Sequence, residues 1–118
     1  MADVFQITGG SILSGTIPVG GAKNHALKMF PAALLSQECC GLTSVPDIVD
    51  VAVMSDIIRS LGGTVKREGS TYTIETSGIT HGRMPADLVV KMRASFLFLV
   101  PLLHRFGEVY FPHPGGDA

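Results

Sequence analysis

Three short segments of this chain carry the residue types that anion binding and proton transfer need. His113-Pro114-Gly115-Gly116-Asp117-Ala118 is a glycine turn bearing one carboxylic acid. Val19-Gly20-Gly21-Ala22-Lys23-Asn24 is a second glycine turn, and it delivers a lysine and an amide. Between them lies a cation among apolar neighbours, in Lys91-Met92-Arg93-Ala94-Ser95. Glycine permits close backbone approach to a ligand, and cations and amides donate to phosphate or carboxylate. Brought together, Lys23, Asn24, Arg93 and Asp117 would make an anion-binding catalytic site. Each also has an ordinary reading. Lys23 is a solvated lysine near a helix start and Asn24 an N-cap. Arg93 pairs with Asp87 or another carboxylate, and Asp117 forms a turn.

The elements that must position these residues alternate along the chain. Ser14 to Val19 has a strand's composition, broken by Gly20-Gly21. Asn24 to Ser36 carries a helical apolar pattern through Ala26, Leu27, Phe30, Ala33 and Leu34, with Pro31 as a local conflict. Cys40 to Val45 reads as a strand ended by Pro46-Asp47. Asp50 then caps a helix whose buried face is Val51, Met54, Ile57, Ile58 and Leu61, stopped by Gly62-Gly63. Thr64 to Arg67 and Thr71 to Thr76 alternate around Gly69-Ser70 and predict a hairpin.

In order this is β-α-β-α-β-β over residues 14–76. After a polar loop at 77–86, Asp87 caps a helix running to about Arg105, kinked at Pro101 and ended by Gly107. Glu108 to Phe111 follows as a strand. Residues 87–118 therefore read as the start of a second unit. The expectation is an α/β chain of about one and a half repeated units.

Composition bounds the classes of function. At 118 residues the chain can bury one core, and 46% hydrophobic against 16% charged residues argues against disorder. A net charge of -1 gives no electrostatic footprint for nucleic acid or an anionic membrane surface. The longest apolar run, Phe96 to Leu103, falls far short of the roughly 20 residues that span a bilayer. No signal-peptide pattern opens the chain, so a soluble cytoplasmic protein is expected. Cys39 and Cys40 are adjacent, poorly placed to bridge each other, and read as small residues starting a strand. The histidines His25, His81, His104 and His113 show no metal-ligand spacing, and neither a metal nor another cofactor is called for.

Taken together, these motifs carry a resemblance. Gly21-Ala22-Lys23-Asn24 before an alanine- and leucine-rich helix is similar to the enolpyruvyl transferases of cell-wall synthesis. So are Val45-Pro46-Asp47-Ile48 with Asp50, Leu61-Gly62-Gly63, Met92-Arg93-Ala94-Ser95, Arg105-Phe106-Gly107 and Pro114-Gly115-Gly116. The ordered combination is specific where any single motif is not. The sister family acting on shikimate phosphate differs at the first turn, where serine usually follows the lysine and arginine comes shortly after. A non-catalytic module of the same fold would not need Lys23, Arg93 and Asp117 together.

The resemblance implies a fold of two domains built from β-α-β-α-β-β units with the active site in the cleft between them. It implies transfer of the enolpyruvyl group from phosphoenolpyruvate to the 3-hydroxyl of UDP-N-acetylglucosamine, releasing phosphate, in peptidoglycan synthesis. On it, Lys23 and Asn24 contact phosphoenolpyruvate, Arg93 contacts the nucleotide sugar, and Asp117 protonates the substrate's methylene carbon. Family members are several times longer. The 118 residues are thus expected to be an N-terminal portion, inactive alone, that needs the remainder of its own chain to complete the cleft.

Most members of the family carry cysteine where this chain has Asp117, and a minority carry aspartate. A thiol with a pKa near about 8.5 is protonated at neutral pH, whereas a free aspartate near about 3.9 is not. Acting as an acid at pH 7 would need an upward shift of about three units, roughly 4 kcal/mol. Burial on loop closure and a nearby anionic substrate both push in that direction.

Overall fold

The computed structural model describes residues 2–113. Three antiparallel strands form one sheet in the order β1-β3-β2, where β1 is Cys40–Leu42, β2 is Thr64–Glu68 and β3 is Thr71–Glu75. The hairpin is the predicted one. Val65 pairs with Ile74 and Arg67 with Tyr72 across it, and the turn lies at Gly69-Ser70. On β3 the alternation puts Tyr72 and Ile74 inward.

Two helices cover that face. α1, Lys23–Ala32, presents Ala26, Leu27 and Phe30 to the core, and Phe30 meets Tyr72 edge-on at 5.4 Å. Pro31 stays within the helix, and the last turn tightens into a 3₁₀ segment at Ala33–Leu35. α2, Val49–Leu61, buries all five residues of the predicted face. Gly62 ends it at φ 111°, a left-handed conformation that glycine adopts without steric cost, and the Gly63 N–H donates back to Ile58 O at 2.9 Å. The capping expectation for Asp50 is corrected. The N-cap is Ile48, in extended conformation, with no side-chain cap bond, and Asp50 lies in the first turn.

Other expectations need correction too. Residues 14–19 form no strand, because neither edge of the sheet takes them up, and Ile12, Leu13, Ile17 and Val19 lie exposed. A strand's composition without a partner ladder does not make a strand. The first strand, expected to reach Val45, stops at Leu42. Ser44 adopts a left-handed φ of 56°, which turns the chain out of line. The expected long helix is three pieces: α3 at Ala86–Val89, a 3₁₀ helix at Arg93–Phe98, and α4 at Leu99–Phe106.

The N-cap of α3 is Pro85, so Asp87 sits one position inside the helix rather than capping it. At the break, the buried Ser95 hydroxyl donates to Met92 O at 2.7 Å and Val89 O at 3.2 Å, satisfying carbonyls that a continuous helix would have used. The kink expected at Pro101 has no long helix to bend: Pro101 lies in the first turn of α4, just after the 3₁₀ helix, where its missing N–H costs little. The expected strand at 108–111 is a single parallel bridge between Arg83 and Tyr110.

One joint ties these layers together. Thr76 Oγ1 donates to Ser36 O at 2.7 Å, and the Arg105 guanidinium donates to Thr76 O, Ile79 O and Leu34 O at 3.1, 3.3 and 3.4 Å. The end of α4 is thereby fastened to the ends of both α1 and β3.

Candidate active site

The glycine turn and α1 place Lys23 and Asn24 side by side. Gly21 runs so close to Ser44 that a Cβ there would overlap the Ser44 carbonyl oxygen. Only a residue without a side chain permits this approach, and it seats the start of α1 on the loop after β1. The N-cap is Ala22, which offers no side chain to the helix. The first backbone bond of the turn is Ala26 N–H to Ala22 O at 3.1 Å. Among the described residues, nothing accepts from the N–H groups of Lys23, Asn24 or His25. An uncapped start of a ten-residue helix carries unmet donors and the positive end of its dipole.

The structure assigns Lys23 a partner. Its Nζ lies 2.7 Å from Oδ2 of Asp50, with the two side chains 56% and 31% exposed. The ammonium is therefore fixed on one side and open to solvent on the other. Asn24 is exposed, with no described partner. Arg93 opens the 3₁₀ helix at Arg93–Phe98, which packs against α1. It is exposed and makes no ion pair among the described residues, so the expected alternative of a bond to Asp87 is not formed. Lys23 and Asn24 are thus brought together, and Arg93 is carried on a neighbouring element. Asp117 lies outside the described residues.

Two open hollows flank the start of α1. One of about 390 Å³ is lined by Gly21, Ala22, His25, Met29 and the 41–45 segment. The other, about 330 Å³, lies between Gly20-Gly21 and Pro46. A larger hollow of about 520 Å³ lies beside Arg105, and none of the three is lined by Lys23, Asn24 or Arg93. The Arg105 guanidinium already donates to three backbone carbonyls, which makes the larger hollow the weaker anion site.

Asp50 is the member of this cluster that the sequence did not reveal. Two acids, Asp47 and Asp50, stand where a partner for Lys23 could come from. Asp47 bonds instead to Arg67, Nη1 to Oδ1 at 3.0 Å, and that bond pushes the Arg67 guanidinium further above its ordinary pKa. The packing of α1 on α2, with Arg67 taking Asp47, decides between the two acids.

Comparison with known proteins follows the same lines. The family model described as EPSP synthase (3-phosphoshikimate 1-carboxyvinyltransferase) matches residues 7–118. The chain is 38% identical over 116 residues to the UDP-N-acetylglucosamine 1-carboxyvinyltransferase of Desulfosudis oleivorans, covering 98% of this chain and 28% of that protein. It is 42% identical over 114 residues to the like-named protein of a Sulfurovum species, covering 97% of this chain and 27% of that one. The crystal structure of the enolpyruvyl transferase NikO from Streptomyces tendae superimposes with a TM-score of 0.73 at 32% identity, over 84% of this chain and 23% of NikO. The chain spans little more than a quarter of the length of these curated relatives. It has the α/β fold of the enolpyruvyl transferases and belongs to the EPSP synthase family.

Proposed function

We propose that this chain contributes the first part of an enolpyruvyl transferase site that moves the enolpyruvyl group of phosphoenolpyruvate to the 3-hydroxyl of UDP-N-acetylglucosamine. This is the committing step of peptidoglycan synthesis. The observation that carries the reading is Lys23, held half-open at the uncapped start of α1. Phosphoenolpyruvate brings a phosphate and a carboxylate, and Lys23, Asn24 and the free N–H groups of α1 supply matching donors. Arg93 serves the diphosphate side of the nucleotide sugar. The names borne by the relatives support this acceptor.

In the reaction, the acceptor's hydroxyl gives up its proton to a base as its oxygen adds to C2 of phosphoenolpyruvate, while Asp117 gives a proton to the C3 methylene. Loss of a proton from the resulting methyl group and departure of phosphate restore the double bond on the new ether. Cations around the phosphate stabilise the charge that collects as it leaves.

A second acceptor, 3-phosphoshikimate, is favoured by the description of the matching family model. Phosphate release from phosphoenolpyruvate, measured at full family length with each acceptor in turn, separates the two. Release with UDP-N-acetylglucosamine alone is expected, and release with only 3-phosphoshikimate would reverse the assignment. The 118 residues alone are expected to release none, since they span little more than a quarter of the length of these relatives.

A further inference from the structure

From the 2.7 Å contact between Lys23 Nζ and Asp50 Oδ2, we infer that Asp50 is the positioning residue for the phosphoenolpyruvate-binding lysine. The inference rests on the proposed role of Lys23. An ion pair this exposed contributes little to stability, so the fold itself gains little from it. What the pair does supply is a place. A lysine ammonium sits on four flexible carbons, and without a partner it is spread over many rotamers. Asp50 is the better fixed of the two, less exposed and in the first turn of α2, where that helix's dipole favours a carboxylate.

Two observations make the contact selective. Asp50 is not the N-cap of its helix, which is Ile48, and the ion pair it makes among the described residues is with Lys23. The nearby Asp47 points elsewhere, to Arg67. The pair also bridges the N-termini of α1 and α2, so the ammonium's position is set by helix packing rather than by the glycine turn alone. Asp50 lies against one side of the ammonium, and the Lys23 side chain is 56% exposed, open to the substrate's anionic groups. Asp50 touches neither substrate on this view and acts through Lys23.

The test uses Lys23→Ala, Asp50→Asn, the double variant and Asp50→Glu, all at full family length. It measures KM for each substrate, kcat and the denaturation midpoint. Asp50→Asn is expected to raise KM for phosphoenolpyruvate about tenfold, the scale of a modest loss of positioning. KM for the nucleotide sugar and the midpoint should stay close to those of the unsubstituted protein. The double variant should be no worse than Lys23→Ala alone, because Asp50 has nothing left to position. Asp50→Glu keeps the charge and should recover part of the loss, which provides a folded comparison if Asp50→Asn destabilises α2.

Three results would overturn the inference while leaving Lys23 in its role: an Asp50→Asn KM for phosphoenolpyruvate equal to or below the unsubstituted value, losses that multiply in the double variant, or Asp50→Glu worse than Asp50→Asn. A Lys23→Ala protein with unchanged kinetics would instead remove the functional reading, and this inference with it.

Discussion

Replacing Gly21 with alanine should damage the site through backbone geometry alone. A Cβ at this position overlaps the Ser44 carbonyl oxygen and lies 2.9 Å from the Ser44 carbonyl carbon. Both obstacles are backbone, and the chain there is already in a left-handed turn at Ser44, φ 56°, so no side chain can swing aside to make room. Either the glycine turn or the loop after β1 must move by on the order of an ångström. Overpacking of this kind costs about 1–3 kcal/mol. Lys23 follows two residues later, and displacing a substrate-positioning group by about 1 Å can cost about 100-fold in rate.

Gly20→Ala is the internal control, because a Cβ there meets nothing within 4 Å. The assay is kcat/KM for phosphoenolpyruvate together with chemical denaturation, on both variants at full family length. Gly21→Ala should lose between tenfold and 100-fold in kcat/KM, on the order of 1.4–2.7 kcal/mol, and its denaturation midpoint should fall. Gly20→Ala should stay within a factor of about two, a few tenths of a kcal/mol. Equal behaviour of the two variants, whether both intact or both damaged, would refute the claim that close approach to Ser44 seats α1.

Lys23→Ala removes a charge-assisted contact and should cost about 2–4 kcal/mol, roughly 30-fold to nearly 1000-fold in turnover. Steady-state kinetics indistinguishable from the parent would return Lys23 to a solvated helix start. The full-length protein should resist fosfomycin, the epoxide that alkylates the loop cysteine of cysteine-bearing relatives, since a carboxylate at Asp117 is a poorer nucleophile than a thiolate. Asp117→Cys should gain sensitivity while keeping activity, and Asp117→Ala should lose turnover. Inactivation time courses with mass spectrometry of the loop peptide decide the matter, and rapid covalent inactivation of the Asp117 protein would contradict it. Arg105→Met keeps much of the side chain's bulk but leaves the carbonyls of Leu34, Thr76 and Ile79 without their donor. It should lower stability by about 2–4 kcal/mol, read by urea denaturation; a midpoint unchanged within error would show that the Arg105 joint is dispensable.

Local patterns by themselves determined α1, α2 and the hairpin. The spacing of Val51, Met54, Ile57, Ile58 and Leu61 specifies one buried face whatever lies opposite, and all five are buried. Gly62-Gly63 and Gly69-Ser70 stop and turn the chain through backbone preferences that need no distant partner. The motif order from Gly21 to Gly116 was likewise enough to indicate the family, because it lies wholly in the residue types.

Tertiary structure decided whatever depended on a second segment. Residues 14–19 have a strand's composition, but a strand exists only where another backbone accepts its ladder, and none does among the described residues. The stretch from 87 to 105 is helical in pattern, yet Ser95 turns back onto Met92 and Val89, and Pro101 falls in the first turn of a separate helix that begins at Leu99. The partner of Lys23 could not be read from spacing. Asp47 and Asp50 are chemically equivalent in the sequence, and the choice between them is made by how α1 packs on α2 and by Arg67 taking the other acid. Electrostatic attraction acts through a few ångströms of space, whereas Lys23 and Asp50 are separated along the chain by a helix, a strand and a loop.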